Sequence, residues 1–190
     1  FVQKFFDVIE AEKFEVYVMK FYHGKLQGGQ LIHGTPFYAR DTLNLHATFF
    51  FDSGLALLDI LKKKFSYYKE GEVKKIIESM RVAASHAGFN FRNKLELLEA
   101  EQYVLAVHKR SVASRAYDTA ITSARNAKLI HEQGLACEKA GFYYKRMKDS
   151  EKSLKYFNQA RECYEEWGST VKVDFIRREL DRFDSKNKRV

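Results

Sequence analysis

Apolar positions recur along this chain at steps of three and four, and strand-like alternation is scarce, so the pattern predicts helices nearly throughout. Phe5, Val8, Ile9, Val16, Met19 and Tyr22 nearly share one face of a helix over 1–24, which Gly24, Gly28 and Gly29 break. Thr35 can cap free backbone N–H groups and Pro36 fits a first helical position, so a helix follows, open to interruption over 41–44, and runs to about Lys63. Its middle, Phe49 to Leu58, is apolar nearly all round, as a central helix should be. Further helices are predicted over 72–87, over 94–109 with Asn93 as cap, and over 111–129, 131–147, 149–167 and 169–183. Lys148-Asp149 and Trp167-Gly168 are tight connections, and Gly168 suits a left-handed helix end. Short connections favour antiparallel neighbours; only the 25–35 loop is long.

Two stretches repeat one pattern. Leu97, Ala100, Glu101, Val104, Ala113, Tyr117 and Ala120 are echoed forty residues later by Cys137, Ala140, Gly141, Tyr144, Ser153, Phe157 and Ala160. Small residues recur where two helices must approach, and a ring or aliphatic chain fills the space between them, which defines a repeated helical hairpin. The expected fold is all-α: antiparallel helical hairpins stacked in one array over 1–190. Within it, 1–90 holds degenerate repeats, 94–130 and 131–167 are the two clear units, and 169–183 is a capping helix before a polar tail at 184–190.

Composition changes this picture little. Hydrophobic residues make up 45% and charged residues 31%, ordinary for a globular chain, while 15% aromatics point to ring-filled layers between helices. The net charge of +8 is spread evenly, with 14 basic against 10 acidic residues over 1–95 and 19 against 15 over 96–190. No basic face or arm stands out except Lys186 to Arg189, so nucleic acid is not the expected partner. Lys62-Lys63-Lys64 is expected to offset a helix dipole rather than to grip phosphate. Cys137 and Cys163 fall on apolar helical positions without C-x-x-C spacing, so buried, reduced thiols in a cytoplasmic protein are expected. No apolar run is long enough to span a membrane, and the opening residues hold no charged stretch followed by an apolar run and a small-residue cleavage site, so no secretory leader is expected among them. The opening Phe1 in place of Met suggests a segment of a longer polypeptide.

The second unit is similar to the tetratricopeptide pattern, with Ala140 and Gly141 at paired small positions, Tyr144 at the aromatic one, and Ser153, Phe157 and Ala160 on the second helix. The first unit departs from it at Glu101, where a small residue is usual, and the forty-residue period exceeds the usual length of about 34, which implies a longer second helix. Three segments resemble a more particular family: Asn93 to Glu101, Gly134 to Val173, and Phe50 to Leu58. That family is the large multidomain signalling ATPases, in which a kinase-like domain and an AAA-type, STAND-like NTPase domain precede a helical-repeat region, and sensor and histidine kinase domains follow. The resemblance covers most of 45–175; Ala160, Cys163, Tyr164, Trp167, Gly168, Lys172 and Val173 mark the end of the helical region. It implies a regulatory segment with no catalytic residue of its own, ATP binding being confined to other domains of the parent.

A search for chemistry agrees with that expectation. Gly24 to Gly29 has phosphate-loop spacing, but Gln30-Leu31 follows where Lys and Ser or Thr are needed. None of the six histidines forms H-E-x-x-H, no calcium loop occurs, and a His131–Cys137 dyad lacks an orienting third group. No catalytic, metal or cofactor site is therefore expected. Binding is the better expectation. In tetratricopeptide arrays the first helix of each repeat lines a groove, which here would present Leu135, Glu138, Phe142, Lys145 and Arg146, and in the earlier unit Leu95, Leu98, Gln102, Leu105 and Ala106. An aromatic beside two cations can hold an acidic, apolar protein segment. The asparagine pair that grips peptide C-termini in chaperone-binding members is missing. The partner is expected to be a protein or peptide, including the NTPase domain of the same chain; a free-standing adaptor is the alternative, and a helical nucleic-acid module a weaker one.

Overall fold

The structure, a computed structural model, describes residues 51–63, 67–106 and 110–187, and these lie within one compact unit, Leu43–Val190. The elements expected over 1–50 lie outside the described residues. Seven helices follow one another: α1 (51–63), α2 (Tyr67–His86), α3 (Gly88–Tyr103), α4 (Arg110–Asn126), α5 (Ile130–Arg146), α6 (Ser150–Trp167) and α7 (Thr170–Asn187). Among the described residues there is no strand. Consecutive helices pack as antiparallel neighbours, and α5 also touches α3. The fold is an all-α stack of hairpins, α3–α4 and α5–α6 being the two repeat units and α7 closing the stack.

The forty-residue period has a physical origin in the turns. The last three connections each contain a residue in the left-handed region: Lys128 (φ 55°), Lys148 (φ 58°) and Gly168 (φ 82°). Each closes the same pair of backbone bonds. The Lys128 N–H donates to the Arg125 carbonyl and the Leu129 N–H to that of Ala124; Lys148 and Asp149 repeat this on Lys145 and Tyr144, and Gly168 and Ser169 on Glu165 and Tyr164. This is the Schellman closure, which satisfies carbonyls stranded at a helix end. From α4 onward, helices of 17 or 18 residues joined by such turns advance twenty residues per helix, so the α5–α6 hairpin advances forty. The extra length over a 34-residue repeat therefore sits in both helices of a hairpin, not in the second alone. Asp149 adds an N-cap to α6, accepting from the Lys152 N–H at 3.1 Å. A side chain in the left-handed region costs about 1–2 kcal/mol, which only glycine avoids. No atom lies within 4 Å of a Cβ built on Gly168, so Gly168→Ala should lower stability by about 1 kcal/mol through the backbone alone. Lys148→Gly should raise it by a similar amount, about 1 kcal/mol. Urea denaturation of the two variants checks both signs.

Several boundaries differ from expectation, and α3 also ends at Tyr103 instead of near 109. Asn93 caps nothing: α3 begins at Gly88 behind Ala87, which offers no side-chain cap, and Asn93 is buried with its amide donating to the Glu132 carboxylate. Phe91 is buried too, so carrying the helix back past it serves the core better than a cap at Asn93 would. α2 starts five residues early and contains Gly71, with Glu70 in its first turn facing the positive end of the dipole. α7 runs on to Asn187 through residues read as polar tail, since no glycine or proline stops it.

The core is one continuous cluster from Phe51 and Leu58 on α1 to Val173 and Ile176 on α7. The repeat positions form its centre: Leu97, Ala100, Ala113, Tyr117, Ala120, Cys137, Ala140, Phe157 and Ala160 are all buried. In the second hairpin, α5 and α6 meet through glycine. A Cβ on Gly141 would lie 2.7 Å from the Phe157 ring, and one on Gly134 would lie 2.9 Å from the Tyr164 ring. The two glycines and the two rings are each seven residues apart, so two turns of one helix register on two turns of the other. The Ser153 hydroxyl donates to the Gly141 carbonyl at 2.9 Å, so the small polar residue at that position is also satisfied.

Candidate functional site

Glu101 stands in the first hairpin where Gly141 stands in the second, and Tyr117 where Phe157 stands. The two pairs solve one packing problem differently. Phe157 lays its ring on glycine, whereas the Tyr117 hydroxyl donates to the Glu101 carboxylate. Glu101 is fully buried and also accepts from the Lys62 ammonium of α1. A charge at a small position thus becomes a link to the preceding hairpin. Burial pushes the Tyr117 phenol pKa upward, which keeps it a hydrogen-bond donor.

Glu101 belongs to a larger system. Each interhelix lysine–carboxylate pair among the described residues joins two odd-numbered helices: Lys62 to Glu101, Lys94 to Glu132, Lys139 to Asp59, Lys172 to Glu138 and Lys145 to Glu179. Glu138 repeats the Glu101 arrangement, accepting from the Tyr164 hydroxyl at 2.7 Å and from Lys172 at 2.9 Å. Burial raises the Tyr164 pKa as well, with the Glu138 charge adding to it. Lys94 and Asn93 share Glu132, all three buried. These side chains lie on helices that lead their hairpins, so the polar seam runs along one side of the stack.

A cavity of about 490 Å³ opens on that side. Its walls come only from odd-numbered helices: Asp59 and Lys62 of α1, Glu101 of α3, Glu138, Lys139, Phe142, Lys145 and Arg146 of α5, and Phe175 of α7. The volume is in the range of about 300–1,000 Å³ typical of ligand pockets. Asp59 accepts from Lys139 at 2.8 Å and Lys62 at 2.9 Å. Burial pushes the Asp59 carboxyl upward, but the two ammonium groups outweigh it and hold it below its ordinary value. Burial draws the Lys62 ammonium down to about 8, against the Asp59 carboxylate; Lys139 and Arg146 press it the same way as burial. The apolar wall is Phe142, edge-on to Phe157 at 5.0 Å and 6.0 Å from the Phe175 ring, with the Lys145 ammonium 5.8 Å from its centroid. Arg146 is exposed and forms no hydrogen bond or ion pair with any described residue.

Of the residues singled out from the sequence, Glu138, Phe142, Lys145 and Arg146 line this cavity, while Leu135 packs against the core and Gln102 does not line it. Leu98 is fully buried against α1 and is core, not groove. Leu105 and Ala106 lie in the turn after α3. Sequence reasoning missed Asp59, Lys62, Lys139 and Phe175. The signal available was Glu101, a charge at a small position, which calls for a buried cation. Lys62 is that cation: it turns inward, whereas Lys63 is exposed, so the lysine run is not simply a charge on a helix end.

The remaining chemical candidates have structural surroundings. Cys137 and Cys163 are free, buried thiols; the hydrogen bond between them, with burial, pushes the Cys137 thiol upward, and the same bond draws the Cys163 thiol downward against its burial. His131 is at the surface, its ring 5.3 Å from that of Trp167. Among the described residues no helix is long and apolar enough to cross a membrane. Scans of the chain against protein-family models, curated proteins and solved structures return no match.

Proposed function

We propose that this chain is a non-catalytic interaction and regulatory segment that takes a protein segment into the cavity between α1, α3, α5 and α7. The observation that carries the reading is that cavity: it has an apolar wall, a built polar floor and one uncommitted guanidinium. The floor favours binding over turnover. Its lysines are each tied to a carboxylate of the chain, so none stands free as base or nucleophile. Three carboxylates in the lining oppose a phosphate backbone, which makes nucleic acid the weaker reading. On the resemblance of 45–175, the host would be a large cytoplasmic signalling ATPase or kinase, and the segment bound would belong to one of its own domains or to a partner.

Peptide display tests this. Random peptides selected on the immobilised chain should include sequences that lose about tenfold or more in affinity, equivalent to about 1.4 kcal/mol, on Arg146→Glu. Selection that enriches no peptide, or only peptides indifferent to that substitution, would remove the reading.

A further inference from the structure

The cavity lining holds three carboxylates and four cations, and its hydrogen bonds are unevenly shared. Lys62 and Lys139 are bound to Asp59 and Glu101, and Lys145 reaches Glu179 beyond the lining. Glu138 is answered by Lys172 and Tyr164, also beyond the lining. Among the described residues every carboxylate of the lining therefore has a cation, and one cation, Arg146, has no carboxylate. It sits at the last turn of α5, exposed, and close enough to act on the Lys62 ammonium. Its own side of the cavity carries uncompensated positive charge. The planar fork of a guanidinium matches a carboxylate through two parallel hydrogen bonds, a geometry the neighbouring lysines cannot supply.

Resting on the interaction reading above, we infer that the cavity selects a partner segment bearing one acidic side chain beside an apolar one, the carboxylate on Arg146 and the apolar group against Phe142 and Phe175. Charge sets the stoichiometry. One added carboxylate balances the lining, while a second would meet Asp59, Glu101 and Glu138 with no free cation left. The apolar neighbour sets the direction, since the two rings lie on the α5–α7 side of the cavity. The polar floor also excludes a purely apolar segment, which would strip water from Asp59 and Lys139 without replacing it.

The test uses the full chain labelled with ¹⁵N and two capped tripeptides, acetyl-Leu-Glu-Phe-amide and acetyl-Leu-Gln-Phe-amide, which differ only in the carboxylate. Titration should move the Arg146 side-chain Nε–H resonance with the Glu peptide, which should bind about tenfold more tightly than the Gln peptide, the size expected for a charge-assisted bidentate contact. Arg146→Gln should erase the difference, and raising the salt concentration should shrink it. Equal binding of the two peptides, or a response to neither, would overturn the inference. So would sodium acetate that shifts the same resonance at the same concentrations, since the site would then take small anions and not a protein segment. If display yields Arg146-dependent peptides without acidic residues, the acidic specificity fails while the interaction reading stands.

Discussion

Glu101→Ala should lower the unfolding free energy by about 3–5 kcal/mol, the usual cost of removing one partner of a buried ion pair. For a chain of this size that is a fall of about 10 °C in Tm. The substitution strands two donors at once. Tyr117, fully buried, loses its acceptor, and Lys62 keeps only Asp59. It also opens a void between α1, α3 and α4. A double-mutant cycle separates these effects. Tyr117→Phe should cost about 1–2 kcal/mol in the native background and much less beside Glu101→Ala, because the hydroxyl then has nothing to lose. Additive losses in chemical denaturation would mean that the carboxylate and the phenol do not act as a pair.

The second large effect runs against helix propensity. In most helices glycine is the residue to replace, since alanine is better by about 1 kcal/mol. At Gly71, where a Cβ would meet nothing within 4 Å, Gly71→Ala should follow that rule and stabilise. At Gly141 the rule should invert. A Cβ there lies 2.7 Å from two atoms of a ring that is itself fully buried, so the ring must shift before even a methyl fits. Gly141→Ala should destabilise despite its propensity gain. Gly141→Leu should cost about 3 kcal/mol or more, because overpacking then forces α5 and α6 apart. Pairing it with Phe157→Ala should recover part of that loss, a rescue that thermal melts can read. Recovery would not be expected if the glycine mattered only for backbone flexibility.

These two positions also show what the sequence made legible. Small and aromatic residues at fixed intervals announced the hairpins because close helix approach leaves few alternatives: Ala100, Ala140, Gly141 and Ala160 have no room to be large. Gly168 announced a helix end because it alone among the three left-handed turn residues lacks a Cβ, and Lys128 and Lys148, in the same conformation, gave no such notice. Asn93 misled for the opposite reason. Its capping chemistry is local, but the burial of Phe91 and the Glu132 carboxylate across the stack decided its place. The cavity was half legible. Phe142, Lys145 and Arg146 follow from the face that the first helix of a repeat presents. Lys62 with Glu101, 39 residues apart, and Lys139 with Asp59, 80 apart, depend on how hairpins stack, which no local spacing encodes.

A system of lysine–carboxylate pairs confined to the odd-numbered helices also bears on how the segment could respond to a partner. Each pair spans two helices, so a segment seated on Arg146 touches α5, which holds charges on α1, α3 and α7 together.

The most direct measurement is the affinity of a display-selected peptide for two charge-reversed chains. Arg146→Glu alters the uncommitted cation of the cavity; Arg115→Glu makes the same change at an exposed site on α4, outside the cavity lining. Affinity should fall about tenfold or more for the first and change within about twofold for the second, as expected of a specific contact against a remote surface charge. Equal losses for both would mean that net charge, and not this cavity, governs binding, and would contradict the proposal.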